Sequence, residues 1–362
     1  MSVEYTSIVQ DLWNRVQSNE ETITEKKKIL EECEKLLLDD NFKEQRFLVQ
    51  KVKLIIHKAG KSQDLGVIIA NIEAETLKDP SNYDHFVCVA EANLHLGNIN
   101  AAISALEYAM SIGEFPDVLS LLSLCHRRKK PGDSEKSLDY ARKALKLDMG
   151  NGKLWANMAG AYIYASGRQN IVAASKAFRM AIKNGENRNA DVLLNLGTVS
   201  ELLLDFTEAL KLYEEAMVIT EGWSLATTHL GRLKEIVTKA SNRAMIVNQM
   251  KAKKKKEFTS KLNEVDEFIV IEVPTDRQEP SQLAICLGKN GESCIIAITQ
   301  TTRAYIRCEK TILKIRNIQF KPLGVDGVNI PFFPVEDSSQ IKIMYGANPS
   351  DVPPVSISSI IA

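Results

Sequence analysis

The chain has 362 residues, of which 44% are hydrophobic and 25% are charged, and its 46 basic side chains balance its 46 acidic ones. That composition is typical of a globular protein and excludes a chain that is basic or acidic throughout. The length predicts more than one structural unit. The charge balance is an average, because residues 225–256 hold nine basic side chains and one acidic one. We therefore expect a single segment that can meet a polyanion.

Several classes of protein are not indicated by the sequence. The first residues lack a basic stretch followed by an apolar one, and no run of about 18 apolar residues occurs, so we expect a soluble chain with no membrane partner. The predicted location is the cytoplasm, with the nucleus as an additional one. Six cysteines form no C-x-x-C pair and are expected to be reduced thiols. Phosphate-binding, metal-ligand and catalytic motifs are missing, so we expect no enzyme activity, cofactor, metal or small-molecule substrate.

Internal repeats decide the predicted fold. In the clearest copy, Leu196 and Gly197 are followed by Ala209, Tyr213 and Ala216 at the offsets of a tetratricopeptide repeat (TPR), whose period is about 34 residues. The small residues let two antiparallel helices pack closely, while Tyr213 fills the space between them. The same frame occupies residues 83–114, 117–148, 152–185 and 189–222.

The period of the apolar pattern changes from 3.6 to 2 near Phe268, where short β-branched runs separated by turn residues begin. The predicted class is therefore α+β, with a TPR α-solenoid followed by a small β-barrel or sandwich. The predicted organisation is divergent helical repeats over 1–80, TPR repeats over 81–222, a long capping helix ending in a lysine run over 223–256, a linker over 257–266, a β domain over 267–349 and a Pro/Ser-rich tail over 350–362.

A combination of features resembles one known family. The segments LSLLSLCHRR, LDYARKALKLDMGNGKLWANMAGAYIYA and NADVLLNLGTVSE, followed by the lysine run and a terminal β domain, together resemble the tetratricopeptide repeat protein 5 family. The resemblance implies a TPR α-solenoid followed by a small barrel like the oligonucleotide/oligosaccharide-binding (OB) fold over 267–349.

The resemblance implies two functions. The first is recognition of the N-terminal Met-Arg-Glu-Ile or Met-Arg-Glu-Cys of nascent tubulin at the ribosome exit, which triggers decay of tubulin mRNA through protein effectors. The second is a nuclear or cytosolic scaffold for co-activators in stress-responsive transcription, without ribosome contact. Both functions imply protein partners.

The resemblance also implies site residues on the first helices of repeats. The family Arg that pairs with the peptide Glu falls on Arg127, and the family Asp that faces the peptide Arg falls on Asp191. Asn195, one turn after Asp191, is a candidate for binding the peptide backbone. A second family acid falls on Leu225, which puts tight selection of the second peptide residue in question. Each charged residue also has a plain structural explanation, because Arg127 complements a helix C-terminus and Asp191 a helix N-terminus.

The lysine run consists of Lys251, Lys253, Lys254, Lys255 and Lys256. The resemblance implies contact with ribosomal RNA, for which a cluster of lysines provides a salt-dependent anchor. Two alternatives remain, a nuclear import signal and a solvated helix end. For the β domain, few aromatic side chains and a net negative charge favour a protein contact or a structural cap over nucleic-acid binding.

Overall fold

A computed structural model describes residues 8, 11–12, 23–38, 47, 49–54, 65–220, 222–274, 281–299, 311–325, 328–335 and 340–344. The chain divides into two compact units, Met1–Met149 and Gly150–Ala362. The predicted tail over 350–362 lies outside the described residues.

The first unit is helical in its described part. Its helices are α1 (Ile23–Leu38), α2 (Leu65–Thr76), α3 (Tyr83–Leu96), α4 (Ile99–Ile112), α5 (Pro116–Arg128) and α6 (Ser134–Leu147). Helices α3 and α4 pack as one pair and α5 and α6 as the next, as the repeat frame predicts. Ala90, Ala102 and Ala109 are fully buried between α3 and α4, because small side chains let the two helices approach.

The second unit begins with two further helix pairs. Its helices are α7 (Gly152–Ala165), α8 (Arg168–Lys183), α9 (Ala190–Leu202), α10 (Phe206–Ile219), α11 (Ser224–Asn248) and α12 (Ala252–Thr259), with a short 3-10 helix at Glu186–Arg188. Gly197 in α9 faces Tyr213 in α10 so closely that a Cβ at Gly197 would lie 2.6 Å from the Tyr213 ring. The predicted close contact within this repeat is therefore present.

The turns inside three repeats each contain a residue with a positive φ angle. The φ angle is 81° at Gly97, 56° at Ser166 and 66° at Leu204; Gly97 and Ser166 lie 14 places after the first residue of their repeat frames, and Leu204 lies 15 places after it. At Leu204 the turn is closed by the amides of Leu204 and Asp205, which donate to the carbonyls of Glu201 and Ser200. This bonding completes the end of α9 and lets α10 start at once. Leucine is an unfavourable residue there, because its side chain crowds the backbone.

The predicted long helix over 223–256 is two helices. Helix α11 ends at Asn248, and α12 begins at Ala252 after a break. Residues 253–256 of the lysine run therefore belong to a separate short helix, with Lys251 as its N-cap, and this helix extends to Thr259 and so includes the start of the predicted linker. Periodicity did not indicate the break, since neither Pro nor Gly stands there.

Within the described residues, seven strands form one mixed sheet in the order β5-β6-β3-β2-β1-β4-β7. They are β1 (Glu267–Glu272), β2 (Ser281–Gly288), β3 (Ser293–Thr299), β4 (Ile312–Ile315), β5 (Lys321–Val325), β6 (Val328–Pro334) and β7 (Ile341–Met344). Neighbouring strands are antiparallel except β3 and β6, which are parallel. The OB-like barrel prediction is wrong, because over the described ranges β5 and β7 stand at opposite edges and do not pair with each other.

The sheet stays open because other parts of the second unit cover it. Helix α11 packs against β2, β3, β5 and β6, and the Ser293 hydroxyl on β3 donates to the Ala244 carbonyl on α11 at 2.8 Å. Phe332 on β6 contacts Phe206 of α10 on the same face, with ring centroids 5.6 Å apart. On the other face, side chains such as Val270, Cys286 and Ile296 form a hydrophobic cluster. Both faces bury apolar residues while the edges stay apart, whereas a barrel joins its edges.

Candidate functional site

Arg127 lies in the last turn of α5, in the first unit. Its side chain is half-buried. It shares a helix face with Leu124, and that face is less buried than the face that carries Leu122 and Cys125. Burial, together with the smaller effect of the charge of Arg128, lowers the pKa of Arg127 to about 10. Because the guanidinium is partly withdrawn from water, an acidic ligand would interact with it more strongly than with an exposed arginine.

Asp191 and Asn195 lie on α9, in the second unit. Asp191 is exposed in the first turn, and the helix begins at the N-cap Asn189, whose side chain accepts a hydrogen bond from the Val192 amide at 3.3 Å. Asn195 is half-buried one turn further along. The spacing places Asp191, Asn195 and Thr198 on one face of the helix. These two predicted residues therefore come together, whereas Arg127 belongs to the first unit.

Sequence reasoning missed a buried polar cluster beside this face. The carboxylate of Glu201 accepts hydrogen bonds from Nη2 of Arg232 on α11, at 2.7 and 2.6 Å, and from the Tyr213 hydroxyl at 3.1 Å. The ring of His229 lies 5.4 Å from that of Tyr213. The cluster links α9, α10 and α11. Only Tyr213 was indicated by the repeat frame, since nothing in the sequence pairs Glu201 with a residue 31 positions away.

Leu225, at the position of the second family acid, is 38% exposed in the first turn of α11. Helical spacing puts His229 and Arg232 on the same face. Burial lowers the pKa of His229, and the charge of Arg232 lowers it further. This face of α11 thus presents an apolar residue where the resemblance implies a carboxylate, and the Arg232 charge on the same face is paired with Glu201.

The lysines differ from one another in the structure. Lys251, Lys253, Lys254 and Lys256 are exposed. Lys255 is half-buried, and its Nζ donates to the Gly291 carbonyl in the turn between β2 and β3 at 2.8 Å. Phe258 is buried, so it fixes α12 to the rest of the unit. Four of the five predicted lysines are therefore accessible to a polyanion, and Lys255 has a structural contact.

The described aromatic residues of the sheet offer no stacking platform on their strands. Phe268, Phe332 and Phe333 are all buried. Over the described ranges, no group of three His, Cys, Asp or Glu residues is arranged to hold a metal ion. Across that same part of the chain, no helix has both the length and the apolar character needed to span a membrane.

The chain is similar to known proteins over part of its length. No family model matches the chain. Over 167 residues, or 44% of this chain, it is 26% identical to the Arabidopsis thaliana protein named Protein CTR9 homolog, and the match covers 15% of that protein. The chain thus spans about 15% of the length of the curated relative it matches.

Solved structures of repeat proteins are also similar. YrrB, described as a TPR protein with an unusual peptide-binding site, is 15% identical with a TM-score of 0.36, covering 52% of this chain and 94% of that chain. A thermophilic TPR protein of Thermus thermophilus is 13% identical with a TM-score of 0.41, covering 47% and 90%. The repeats of this chain are of the TPR type. That assignment stands on its own helix pairs, buried small residues and recurring left-handed turns.

Proposed function

We propose that the chain is a peptide-binding adaptor that recognises the N-terminal Met-Arg-Glu-Ile or Met-Arg-Glu-Cys of nascent tubulin at the ribosome and triggers decay of tubulin mRNA through protein effectors. The identity of the proposed ligand comes from the resemblance to the tetratricopeptide repeat protein 5 family. The observation that carries the proposal is the half-buried guanidinium of Arg127, whose pKa burial lowers to about 10. A peptide Glu that docks there forms a charge-assisted, partly desolvated pair.

For Asp191, in the second unit, the resemblance implies the Arg of the tetrapeptide as the partner. The Asp191 carboxylate is exposed at the start of α9, and Asn195 can bond the peptide backbone one turn away. With Leu225 in place of a second acid, the peptide Arg meets a single carboxylate. We therefore expect weaker selection at the second peptide position than two carboxylates would give, although Asp191 alone can still form a bidentate pair with Arg.

The proposed ribosome anchor is the set of exposed lysines on and before α12. If Lys251, Lys253, Lys254 and Lys256 each neutralise one phosphate, the logarithm of ribosome affinity falls against the logarithm of salt with a slope of about −2.8 to −3.6. Lys255 is left out because its Nζ is bonded to Gly291. The helical form of the run and the anchoring by Phe258 support a fixed basic surface.

Ribosomes stalled while displaying Met-Arg-Glu-Ile or a scrambled N-terminus test the proposal. We expect wild-type protein to bind the first preferentially. Arg127→Ala should abolish that preference, since losing a partner of a buried pair costs about 2–5 kcal/mol. The matched control is Arg128→Ala, because Arg128 is the exposed neighbour and its loss should change binding less than twofold. Equal recovery on both nascent chains would refute the proposal.

Ribosome binding, measured together with nuclear entry, distinguishes the proposed function from the alternative scaffold function. Replacing the four exposed lysines by Ala should lower affinity for every ribosome and flatten the salt dependence, while Lys255→Ala should act through stability. If the four-lysine variant still binds ribosomes but no longer enters nuclei, the lysine run is an import signal and the scaffold function is favoured. We propose a binding role without catalysis in either case.

A further inference from the structure

One position on the first helices of repeats carries polar side chains at three successive places in the second unit. Gly231 in α11 follows Gly197 in α9 by one repeat length of 34 residues, and each glycine follows a leucine. Ala159 holds the same place in α7. Helix α11 therefore begins with the first-helix pattern of a further repeat. Two residues before each of these small residues lie Asn157, Asn195 and His229, which we call the polar row.

The polar row is partly accessible to a ligand. Helix α9, which is described in full, leaves only Asp191, Asn195 and Leu202 unburied, and their spacing places them on one face of the helix. Asn157 in α7 and His229 in α11 are half-buried at the equivalent position. The three members of the row can therefore meet a ligand while their helices hold them in place.

The second helices of the repeats set the three first helices side by side. Helix α8 packs against α7 and α9, and α10 packs against α9 and α11. Successive helices of such an array lie about 10 Å apart, so the polar row covers about 20 Å. Because an extended chain rises about 3.3 Å per residue, a peptide that reaches all three members of the row is about six residues long.

The members of the polar row can pair with the main chain of a peptide. An Asn side chain offers both an N–H donor and a C=O acceptor, and Nε2 of a neutral imidazole donates or accepts according to its tautomer. Asn195 makes no side-chain hydrogen bond within the described part of the chain. Nδ1 of His229 is buried without a partner, so Nε2 is the ring nitrogen that can meet a ligand. Asn157 already has an interaction within the chain, so Asn195 and His229 offer the larger hydrogen-bonding capacity.

A second row of residues differs from the polar row in its chemistry. One turn before the polar row, α7, α9 and α11 carry the exposed residues Lys153, Asp191 and Leu225. A cation, an anion and an apolar residue each select particular side chains, whereas the polar row offers groups that match the main chain, which all residues share. Asp191 is also the proposed partner of the peptide Arg. The two rows therefore separate recognition of the peptide sequence from binding of the peptide main chain.

We propose that the nascent N-terminal segment lies extended across α7, α9 and α11, and that the polar row binds its main chain over about six residues. The long side chain of the peptide Arg reaches Asp191 from the second position of this segment. Because main-chain hydrogen bonds require no particular side chain, the residues that follow the tetrapeptide are held whatever their identity.

This inference deepens the proposed function and rests on it for the identity of the peptide. It adds Asn157 and His229 to the residues that bind the peptide, and it extends the bound segment beyond the tetrapeptide. Affinity is then shared between a few selective side-chain contacts and a longer set of main-chain contacts. A short sequence can therefore be recognised without a deep pocket for each of its residues.

Peptides of two lengths test the extended contact. Met-Arg-Glu-Ile and Met-Arg-Glu-Ile-Ala-Ala-Ala, each with fluorescein on a flexible C-terminal spacer, are titrated with the full chain by fluorescence anisotropy. We expect the longer peptide to bind at least fivefold more tightly. Replacing its three alanines by serine should change binding less than twofold, because side chains are not read there. N-methylation of the three added amides should remove most of the gain, and it leaves the protein unchanged.

Variants of the polar row test the residues themselves. Asn195→Ala should weaken binding of the longer peptide at least fivefold. The matched control is Asn242→Ala, which alters an exposed asparagine on the opposite side of α11 from His229 and should change binding less than twofold. His229→Ala should weaken binding at least threefold. His229→Asn should bind within twofold of the wild type, because it supplies the amide that the other two members carry. Circular dichroism compares the fold of each variant with that of the wild type.

The outcomes separate this inference from the proposed function. If the wild type prefers Met-Arg-Glu-Ile to a scrambled sequence but gains nothing from the longer peptide, or if Asn195→Ala binds as tightly as Asn242→Ala, the inference is overturned and the proposed function stands. If a scrambled heptapeptide binds equally well and both peptides lose affinity on N-methylation, main-chain binding is supported and the proposed ligand is refuted. Failure of every peptide to bind overturns both.

Discussion

Nη2 of Arg232 on α11 donates hydrogen bonds to both carboxylate oxygens of Glu201 on α9, at 2.7 and 2.6 Å. The Glu201 side chain is 3% exposed and that of Arg232 is 28% exposed. The Tyr213 hydroxyl donates to the same carboxylate. A charge is therefore buried where the last repeat meets α11, and its stabilisation depends on residues far apart in the sequence.

Arg232→Met should lower the free energy of unfolding by about 2–4 kcal/mol, because Glu201 is left without its cation; partial exposure of Arg232 keeps the loss below that of a fully buried pair. Urea unfolding followed by tryptophan fluorescence measures it. The control is Lys234→Met, which breaks a pair with Glu214 whose side chains are 48% and 52% exposed. Its cost should stay under about 1 kcal/mol. Equal costs would contradict a special role for the buried pair.

Gly197→Ala should destabilise the second unit by about 1–3 kcal/mol, since the new methyl group would lie 2.6 Å from the Tyr213 ring and the helices must separate. Gly231→Ala in α11 meets nothing within 4 Å. That variant should stabilise the chain by about 0.5–1 kcal/mol through helix propensity alone. Thermal unfolding of both variants checks the difference in sign.

The left-handed turns predict opposite effects for two substitutions to glycine. Ser166→Gly relieves backbone strain at φ of 56° and should stabilise the chain by up to about 1 kcal/mol. Leu204→Gly relieves the same strain but also removes a side chain that is 2% exposed, worth about 1.5–3 kcal/mol. It should therefore be destabilising overall. Melting temperatures that rise for both variants would show that the Leu204 side chain contributes little.

Stability should fall as the pH is lowered from 7 to 5.5, partly because of His126. Burial lowers the pKa of His126, and the charge of Lys136 lowers it further. In the unfolded chain the pKa of histidine is about 6.5. Between the two pKa values the unfolded state binds more protons, so stability rises with pH there, by at most about 1.4 kcal/mol per unit for one residue.

The substitution His126→Phe removes this titration while keeping a ring that can stack on Tyr140, whose centroid lies 5.4 Å away. Urea unfolding of the variant at pH 7.5, 6.5 and 5.5 should therefore show a shallower pH dependence than the wild type. Burial lowers the pKa of His85 and of His229 as well, so the variant should keep part of the slope. Identical slopes would mean that His126 does not contribute.

The repeats could be predicted because their information is local. Ala90, Ala102, Gly197 and Ala209 recur at fixed offsets, and helix pairs of consecutive sequence need only those small residues to pack. The change of period near Phe268 likewise predicted strands, since alternation of apolar residues within one strand depends on neighbours in the sequence.

The sheet and the site depended on distant contacts. Whether β5 meets β7 is decided by packing against α11 and by the parallel pairing of β3 with β6, neither of which leaves a pattern within a strand. The lysine run showed five equivalent residues, and the contact of Lys255 with Gly291 made one of them structural.

By itself, then, the sequence determined the helical repeats, the strands that follow them and one basic segment, because each depends on the order of nearby side chains. The tertiary structure alone decided that Glu201 is neutralised by Arg232, that the sheet stays open and that Lys255 contacts Gly291, because burial and pairing between distant segments set these features.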